Sequence, residues 1–237
     1  MNASVGALPA NQPTHMPGLI APLWHTGLFL FALAGLSFWS VRYHSSLQIG
    51  PSPRIASYFF ILASEWILLG IVALGIRSRG TTLAALIGER WSTASKFFRD
   101  LGIALGFLVF SNLFLAVIAG LLHSTQNQNV RNLLPHTATE KAVWVFIALT
   151  AGICEEITIR GYLQRQFTGL FRNSAAGIVT QGVLFGSAHA YQGWKQVVVI
   201  AILGCLLGWL AHWRKSLRPG ILAHFLQDLG GLLGGGR

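Results

Sequence analysis

Long apolar runs dominate this sequence and restrict the folds that it can adopt. A helix that crosses a bilayer needs about 20 predominantly apolar residues, and repeated stretches of the chain approach that length. The candidate spans are residues 22–41, 55–76, 101–122, 141–163, 174–190, 196–213 and 217–233. We therefore predict an all-α fold, a polytopic transmembrane bundle of about seven helices, with roughly six to eight as the range.

Charged residues are too scarce to cover a water-facing surface. They make up 10% of the chain, whereas a soluble domain averages about 25%. The net charge of +10 comes from Lys and Arg residues that lie mostly between the apolar runs, and none precedes Arg42. This distribution is typical of membrane loops. The expected partner is therefore the lipid bilayer and not nucleic acid.

The basic residues also predict an orientation. If the loops alternate sides, residues 77–100, 160–173 and 212–218 share a side with the N-terminal tail and hold eleven Lys and Arg residues. The opposite side holds six, and the more basic side is normally cytoplasmic. The small size and the Gly-rich C-terminus favour a prokaryote. We expect a multi-pass protein of a prokaryotic cytoplasmic membrane.

The N-terminal region divides into two parts. Residues 1–21 form a polar tail without the basic region of a cleaved signal peptide, so the first apolar run is expected to remain as an anchor. Residues 22–139 hold N-terminal transmembrane helices and include the segment 77–100, which mixes basic and apolar residues. That mixture is typical either of a chain lying along the membrane interface or of a solvated loop.

Ionisable side chains inside apolar runs are costly in a membrane, so each one indicates a function. The chain has only seven acidic residues, and two of them are adjacent within one such run. The ionisable residues in question are Glu65, Glu155, Glu156, Arg160, His189, His224 and Asp228.

The adjacent glutamates are predicted to differ. Glu156 and Arg160 lie four residues apart, so on a helix they share a face and can form an ion pair. Glu155 lies about 100° around the helix from Glu156 and would be left without that partner. Alternatively, all three residues belong to a loop at the membrane surface.

A helical hairpin would bring the dispersed residues together. If residues 172–173 form its turn, Glu155 lies 17 residues before Arg172 and His189 lies 17 after it, so the two face each other at one level. A second turn near Ser216, with the membrane surface near Gln164, places His224 at a similar depth. Asp228, four residues after His224, shares its face and would orient the ring by accepting a ring N–H.

A carboxylate and two imidazoles in an apolar pocket are suited to activating water. Burial makes a glutamate a competent general base, and a second His with an Asp can stabilise a tetrahedral oxyanion. The same residue types bind zinc, so metal-dependent and metal-free hydrolysis of an amide bond both remain open. The sequence contains no HExxH motif and no Gly-x-Ser-x-Gly motif.

Three segments, EEITIRGYLQ, FGSAHAYQG and SLRPGILAHFLQD, resemble in order the motifs of the CPBP intramembrane proteases. That family includes CAAX prenyl endopeptidases of the Rce1 type and bacteriocin-immunity proteins. The resemblance covers about residues 140–233 and implies a protease core at 140–237, in the four C-terminal helices. It implies an intramembrane endopeptidase that acts on membrane-associated proteins or peptides, including CAAX-type or lipidated ones.

The resemblance also implies roles for individual residues. Glu155 would activate water, His189 would hold that water or a metal, and His224 with Asp228 would complete the oxyanion site or the metal shell. Supporting roles are implied for Glu156, Arg160 and Phe185. The CAAX branch usually carries Asn where this chain has Asp228; Asp donates poorly unless protonated but binds metal better. If a divalent metal such as Zn takes part, its candidate ligands are Glu155, His189, His224 and Asp228.

Two other function classes fit parts of the sequence. A membrane interaction or immunity-type protein of the same fold would need no catalysis, although it would also have no need of an unpaired Glu155. A proton-coupled transporter could use Glu65 in a relay, but the sequence has no half-helix repeat. For Glu65 itself, we expect a hydrogen bond to a neighbouring helix rather than a catalytic role.

Overall fold

The computed structural model describes residues 18–46, 53–125 and 128–234, and these residues form helices with no strand. The predicted all-α fold is therefore confirmed. Residues 1–17 of the predicted N-terminal tail lie outside the described part. The helices are α1 Leu23–Ser46, α2 Pro53–Arg77, α3 Leu83–Ile87, α4 Ala94–Leu121, α5 Gln128–Leu133, α6 Ala138–Glu155, α7 Gln164–Phe171, α8 Ser174–Ala188, α9 Trp194–Arg214, α10 Arg218–Leu229 and α11 Gly231–Gly234.

Within the described residues, five helices are long and apolar enough to cross a membrane: Leu23–Tyr43, Arg54–Arg77, Ala94–Leu121, Ala138–Phe171 and Trp194–Arg214. Each coincides with a predicted span. The other two predicted spans correspond to α8 and α10, which have 15 and 12 residues. Both are shorter than the roughly 20 residues that a crossing requires. The chain is an integral membrane protein, but a count of seven spans is not confirmed.

The fourth span is longer than predicted because two glutamines continue it. A π-helical segment, Glu156–Leu163, joins α6 to α7 without a break. Gln164, predicted at the membrane surface, is instead buried, and its Nε2 donates to the Gly208 carbonyl of α9 at 2.9 Å. Gln166 is also buried and accepts from the backbone of Ile20 at 3.0 Å. These hydrogen bonds satisfy polar groups that would otherwise end the helix.

The predicted turn at residues 172–173 is present. Arg172 takes the left-handed conformation with φ of 53°, and Asn173 caps α8 by accepting from the backbone N–H of Ala176 at 3.1 Å. The turn between α9 and α10 is built alike, with Lys215 at φ of 50°. Both turns place a basic residue at the tip of a helical hairpin.

Small residues let α8 and α9 pack backbone against backbone. A Cβ at Gly182 would lie 2.4 Å from the Cys205 Sγ, and one at Gly186 would lie 2.4 Å from the Val197 carbonyl oxygen. This Gly-x-x-x-Gly spacing is typical of close helix pairs in membranes. It fixes the position of the neighbouring Phe185 and His189.

The segment 77–100 docks onto the C-terminal helices instead of forming a solvated loop. It contains α3, whose Leu86 is fully buried. Arg165 donates to the Leu86 carbonyl at 2.8 Å. The backbone N–H of Leu217 donates to the Ile87 carbonyl at 3.0 Å. The segment is therefore joined to the start of α10, the helix that carries His224 and Asp228.

Candidate active site

Glu156 and Arg160 form the buried centre of the site. Arg160 Nη1 lies 3.1 Å from Glu156 Oε1, and both side chains have no solvent-exposed area. The guanidinium carbon lies 4.2 Å from the centroid of the Phe185 ring, a distance at which a cation interacts favourably with an aromatic face. The ion pair expected from the four-residue spacing is present, and it lies in a helix rather than in a surface loop.

His224 connects this centre to two further carboxylates. Its Nδ1 lies 3.1 Å from Glu156 Oε1, and because a carboxylate only accepts, the ring nitrogen is the donor. Its Nε2 lies 3.7 Å from Glu155 Oε2 and 3.6 Å from Asp228 Oδ2. Asp228 was predicted to orient the ring by accepting its N–H, but the hydrogen bond to the ring is made by Glu156. The imidazole of α10 thus lies among three carboxylates.

The three carboxylates differ in their access to the surroundings. The Glu156 side chain is fully enclosed, whereas 26% of the Glu155 side chain and 35% of the Asp228 side chain are exposed. The Glu155 Oε2 atom is itself buried and has no hydrogen-bond partner among the described residues, so the exposed part of this side chain lies away from that oxygen. Glu155 and Asp228 are therefore open to a ligand, while Glu156 is restricted to contacts with Arg160 and His224.

His189 joins the group through Phe185. Its Nδ1 lies 2.8 Å from the Phe185 carbonyl oxygen, so Nδ1 donates and the neutral ring presents Nε2 as an acceptor. The Phe185 ring centroid is 4.8 Å from that of His189 and 6.0 Å from that of His224. Tyr191 packs on the other side of His189. Burial raises the pKa of the Tyr191 phenol to about 12, so this group stays protonated at neutral pH.

The whole arrangement lies within one segment that resembles known proteins. Residues 137–230 match the family model described as type II CAAX prenyl endopeptidase Rce1-like. We refer to this matched segment as the Rce1-like domain. The match agrees with the CPBP resemblance carried by the three motifs, and this family is one of proteases. No curated protein and no solved structure matches the chain.

The Rce1-like domain brings α6 and α10 together at two glycines that the sequence reasoning did not single out. A Cβ at Gly152 would lie 3.1 Å from both the Ile221 carbonyl oxygen and the Phe225 nitrogen, and one at Gly220 would lie 3.0 Å from Glu156 Oε2. The only available signal was that Gly152 precedes Glu155 by one helical turn. Their small size allows the approach that places His224 beside both glutamates.

A π-helical segment begins at Glu156 and adds to this placement. Such segments are rare and are frequent at functional sites. Here the segment contains both Glu156 and Arg160. Its altered helical register changes the angle around the helix axis between Glu155 on α6 and the residues that follow. Glu155 and Glu156 themselves keep α-helical backbone angles, so the change of register affects only the residues that follow.

A metal site in the Rce1-like domain would need a different arrangement of side chains. Zinc ligands converge on one point at distances of about 2.0–2.2 Å for His and carboxylate donors. Among the described residues, no three His, Cys, Asp or Glu side chains form such a group. The hydrogen bond from His224 Nδ1 to Glu156 leaves Nε2 available, as in many metal-binding histidines, so metal binding by Glu155, His189, His224 and Asp228 stays a prediction.

Glu65 lies outside the domain and contacts the helix that carries the glutamates. Thr150, on α6, donates to Glu65 Oε2 at 2.8 Å, and both side chains are buried. This is the hydrogen bond to a neighbouring helix that was expected for Glu65. The contact joins α2 to α6 one to two turns before Glu155.

Proposed function

We propose that the chain is an intramembrane endopeptidase of the CAAX type, which hydrolyses a peptide bond in a membrane-associated protein or peptide. The observation that supports this best is the pairing of an accessible carboxylate, Glu155, with His224, whose ring is held by the enclosed Glu156. The enclosed carboxylate of Glu156 orients the imidazole, and the partly exposed carboxylate of Glu155 remains available to act as a base. The location of this pairing inside a segment matched by a protease family adds to the support.

The first step of the proposed reaction uses Glu155 as the general base. In this step a water would be hydrogen-bonded to the Glu155 carboxylate and to His224 Nε2, at about 2.8 Å from each; Glu155 Oε2 and His224 Nε2 are 3.7 Å apart, and Oε2 is buried, so the carboxylate would have to rotate to admit the water. The water oxygen attacks the substrate carbonyl carbon while its proton passes to Glu155. We assign the second hydrogen of that water to His189 Nε2, because His189 Nδ1 donates to the Phe185 carbonyl oxygen.

The second step releases the products. The tetrahedral intermediate carries a negative oxygen, and an N–H on His224 Nε2 would stabilise it. That N–H exists when the ring is an imidazolium, a state that the surrounding carboxylates Glu155, Glu156 and Asp228 stabilise by charge attraction. Glu155 then gives its proton to the departing amide nitrogen, the C–N bond breaks, and a carboxylic acid and an amine leave.

Asp228 and the Glu156–Arg160 pair have different roles in this reaction. Asp228 lies 3.6 Å from His224 Nε2 and attracts the positive ring, a role different from that of the Asn donor in the CAAX branch. Glu156 orients the ring from the opposite nitrogen, and Arg160 balances the charge of Glu156. No step of this mechanism passes through a metal.

The basic end of the bundle indicates a side of the membrane. The docked segment 77–100 and the turn at 214–218 lie at the same end of the bundle as the start of α10, and both are basic. We assign this end to the cytoplasmic side by the positive-inside rule. A lipidated substrate would then be taken from the cytoplasmic leaflet.

The central experiment compares the parent protein with Glu155→Gln in detergent micelles, with a fluorogenic farnesylated CAAX peptide as the substrate. We expect cleavage to fall by at least about 10³-fold, because Gln cannot take a proton from water. Thermal unfolding should stay unchanged, since Glu155 is partly exposed. Full activity of a folded Glu155→Gln protein would refute the proposal.

A parallel assay addresses the metal. The parent protein is dialysed against a chelator, and its metal content and peptide cleavage are both measured. Retained cleavage at negligible metal content agrees with activation of water by Glu155 alone. Loss of cleavage that zinc restores would replace this mechanism while leaving the peptidase assignment intact.

A further inference from the structure

A second polar site lies at the end of the bundle, apart from the glutamates and histidines. It is a cavity of about 240 Å³ between the segment 77–100 and the end of α9. We call it the basic pocket, and its lining residues are Glu89, Arg90, Trp91, Lys96, Arg99, Asp100, Arg214, Lys215 and Ser216. Five of these side chains are basic and two are acidic, so the lining carries an excess of positive charge.

The acidic residues do not neutralise the pocket. Asp100 is buried and is shared by Arg99 at 3.3 Å and Arg214 at 3.5 Å. Its other oxygen accepts from the Trp91 indole N–H at 2.9 Å. Asp100 therefore positions two guanidinium groups and an aromatic wall. Glu89 pairs with Lys96 at 3.6 Å, with 91% of its side chain exposed, so this pair is solvated and weak.

Two basic residues remain available for an anion. Arg90 and Lys215 line the pocket and have no carboxylate partner among the described residues. Arg214 Nε is buried and has no hydrogen-bond partner in the same described part. Guanidinium and ammonium groups with unused donors around a cavity are the usual receptors for phosphate.

The position of the pocket matches the level of lipid headgroups. It lies where the span α4 begins at Ala94 and the span α9 ends at Arg214. Trp209 and Trp213 stack on each other on the same last turns of α9 and are both exposed. Tryptophan is enriched at the boundary between hydrocarbon and headgroups, and basic pockets between spans at this level bind anionic headgroups.

We propose that the basic pocket is a binding site for a phosphate-bearing anion at the membrane surface, namely the headgroup of an anionic phospholipid. The site is independent of the peptidase activity. It is nevertheless connected to α10, because Arg218, the first residue of that helix, covers the Trp91 ring at 4.7 Å and hydrogen-bonds to the Glu89 carbonyl. An occupant would hold the segment 77–100 against the helix that carries His224.

The test measures lipid binding to the purified full-length protein by native mass spectrometry, with phosphatidylglycerol or phosphatidylcholine added to the detergent. The pocket variant combines Arg90→Gln with Lys215→Asn; Asn tolerates the left-handed conformation at 215. The matched control, Arg77→Gln with Arg79→Gln, removes two charges from exposed positions of the same segment that do not line the pocket. Thermal unfolding is recorded for each protein, and Arg90→Gln alone replaces the pocket variant if that variant is less stable.

We expect the parent and the control to bind phosphatidylglycerol more tightly than phosphatidylcholine. The pocket variant should bind phosphatidylglycerol at least about tenfold more weakly, since each basic residue near a headgroup contributes on the order of a fivefold change. Equal phosphatidylglycerol binding by the parent and the pocket variant would overturn the proposal. An equal loss in the control would also overturn it, because bulk charge would then explain the binding.

A competition with inorganic phosphate identifies the source of the anion. If phosphatidylglycerol stays bound in a large excess of phosphate, the lipid headgroup is the occupant. If phosphate displaces the lipid and forms an adduct that the pocket variant lacks, the site exists but its occupant is a free anion. Displacement of the lipid without such an adduct would count against the site.

Discussion

Two helices of this protein, α4 and the long helix Ala138–Phe171, are both long and apolar enough to cross a membrane but differ in what surrounds them. In the most apolar window of α4, 17% of the residues are buried against protein; in that of Ala138–Phe171 the share is 56%. A Cβ at Gly102, Gly106 or Gly120 of α4 would meet nothing within 4 Å. Hydropathy indicates that both helices lie in the membrane. Close packing by small residues distinguishes Ala138–Phe171, the helix that carries the glutamates of the candidate site.

The largest difference between the two regions is expected for Arg160→Met. This variant leaves Glu156 charged and enclosed without its cation, and breaking a buried pair in this way costs about 3–5 kcal/mol. Thermal unfolding in detergent should show a large loss of stability, and peptide cleavage should disappear. The matched control is Arg77→Met, at an exposed position at the end of α2, which should change stability by less than about 0.5 kcal/mol.

A second variant separates charge from shape at this position. Glu156→Gln combined with Arg160→Met removes both charges, so it should recover much of the lost stability, but without the carboxylate that holds His224 it should stay inactive. If Arg160→Met alone is as stable as the parent, the enclosed pair does not hold this region together.

The next largest effect is expected for Gly152→Ala. The added methyl group meets backbone atoms of α10 at 3.1 Å, so α6 and α10 must move apart. The required shift is a few tenths of an ångström. A displacement of about 1 Å at a catalytic centre can lower the rate about 100-fold, so for this smaller shift we expect peptide cleavage to fall by roughly tenfold. The control, Gly106→Ala on α4, should leave cleavage unchanged and should not reduce stability, because Ala is the better helix former. Similar cleavage rates for the two variants would contradict the prediction that close packing at Gly152 matters more for activity than the open position of Gly106.

A smaller effect is expected at Glu65, where α2 meets α6. Glu65→Ala removes the acceptor of the Thr150 hydroxyl and should lower the free energy of unfolding by about 1 kcal/mol. Glu65→Gln keeps an acceptor oxygen and should retain both stability and cleavage. Loss of cleavage in a stable Glu65→Gln protein would instead indicate that Glu65 transfers a proton.

The smallest effect is expected for Gly220→Ala. The new methyl group would lie 3.0 Å from Glu156 Oε2, the end of a side chain that can give way by a few tenths of an ångström. We expect cleavage to fall only a few-fold, by roughly 1 kcal/mol in activation free energy, with thermal unfolding almost unchanged. A loss as large as that of Gly152→Ala would show that the position of Glu156 is the more sensitive of the two.

The sequence predicted best what depends on local spacing. The Glu156–Arg160 pair follows from positions four apart on a helix, and the hairpin turn at 172–173 follows from a polar break between two apolar runs. The sequence also predicted that Glu155, His224 and Asp228 lie at a similar depth in the membrane, because each residue of a helix adds about 1.5 Å along its axis.

Contacts that depend on how two helices distant in sequence are rotated and paired could not be predicted from local spacing. The hydrogen bond from His224 to Glu156 joins residues 68 positions apart, and it requires the close approach at Gly152. The π-helical segment changes the helical register after Glu155, and no residue type in the sequence predicts such a segment. The polar side chains of Gln164 and Gln166 suggested a membrane surface, but distant carbonyl and N–H groups satisfy them and the helix continues.

The basic tips of the two hairpins, Arg172 and Lys215, have a consequence for how the chain is made. An Arg or Lys at the centre of a membrane helix costs about 2.5–3.5 kcal/mol on the scale set by membrane insertion. If these tips lie on the cytoplasmic side, as proposed above, each pair of helices would insert as a loop whose tip does not cross the hydrocarbon. The pairs α7–α8 and α9–α10 would then be oriented alike in the bilayer before Glu155 and His224 meet.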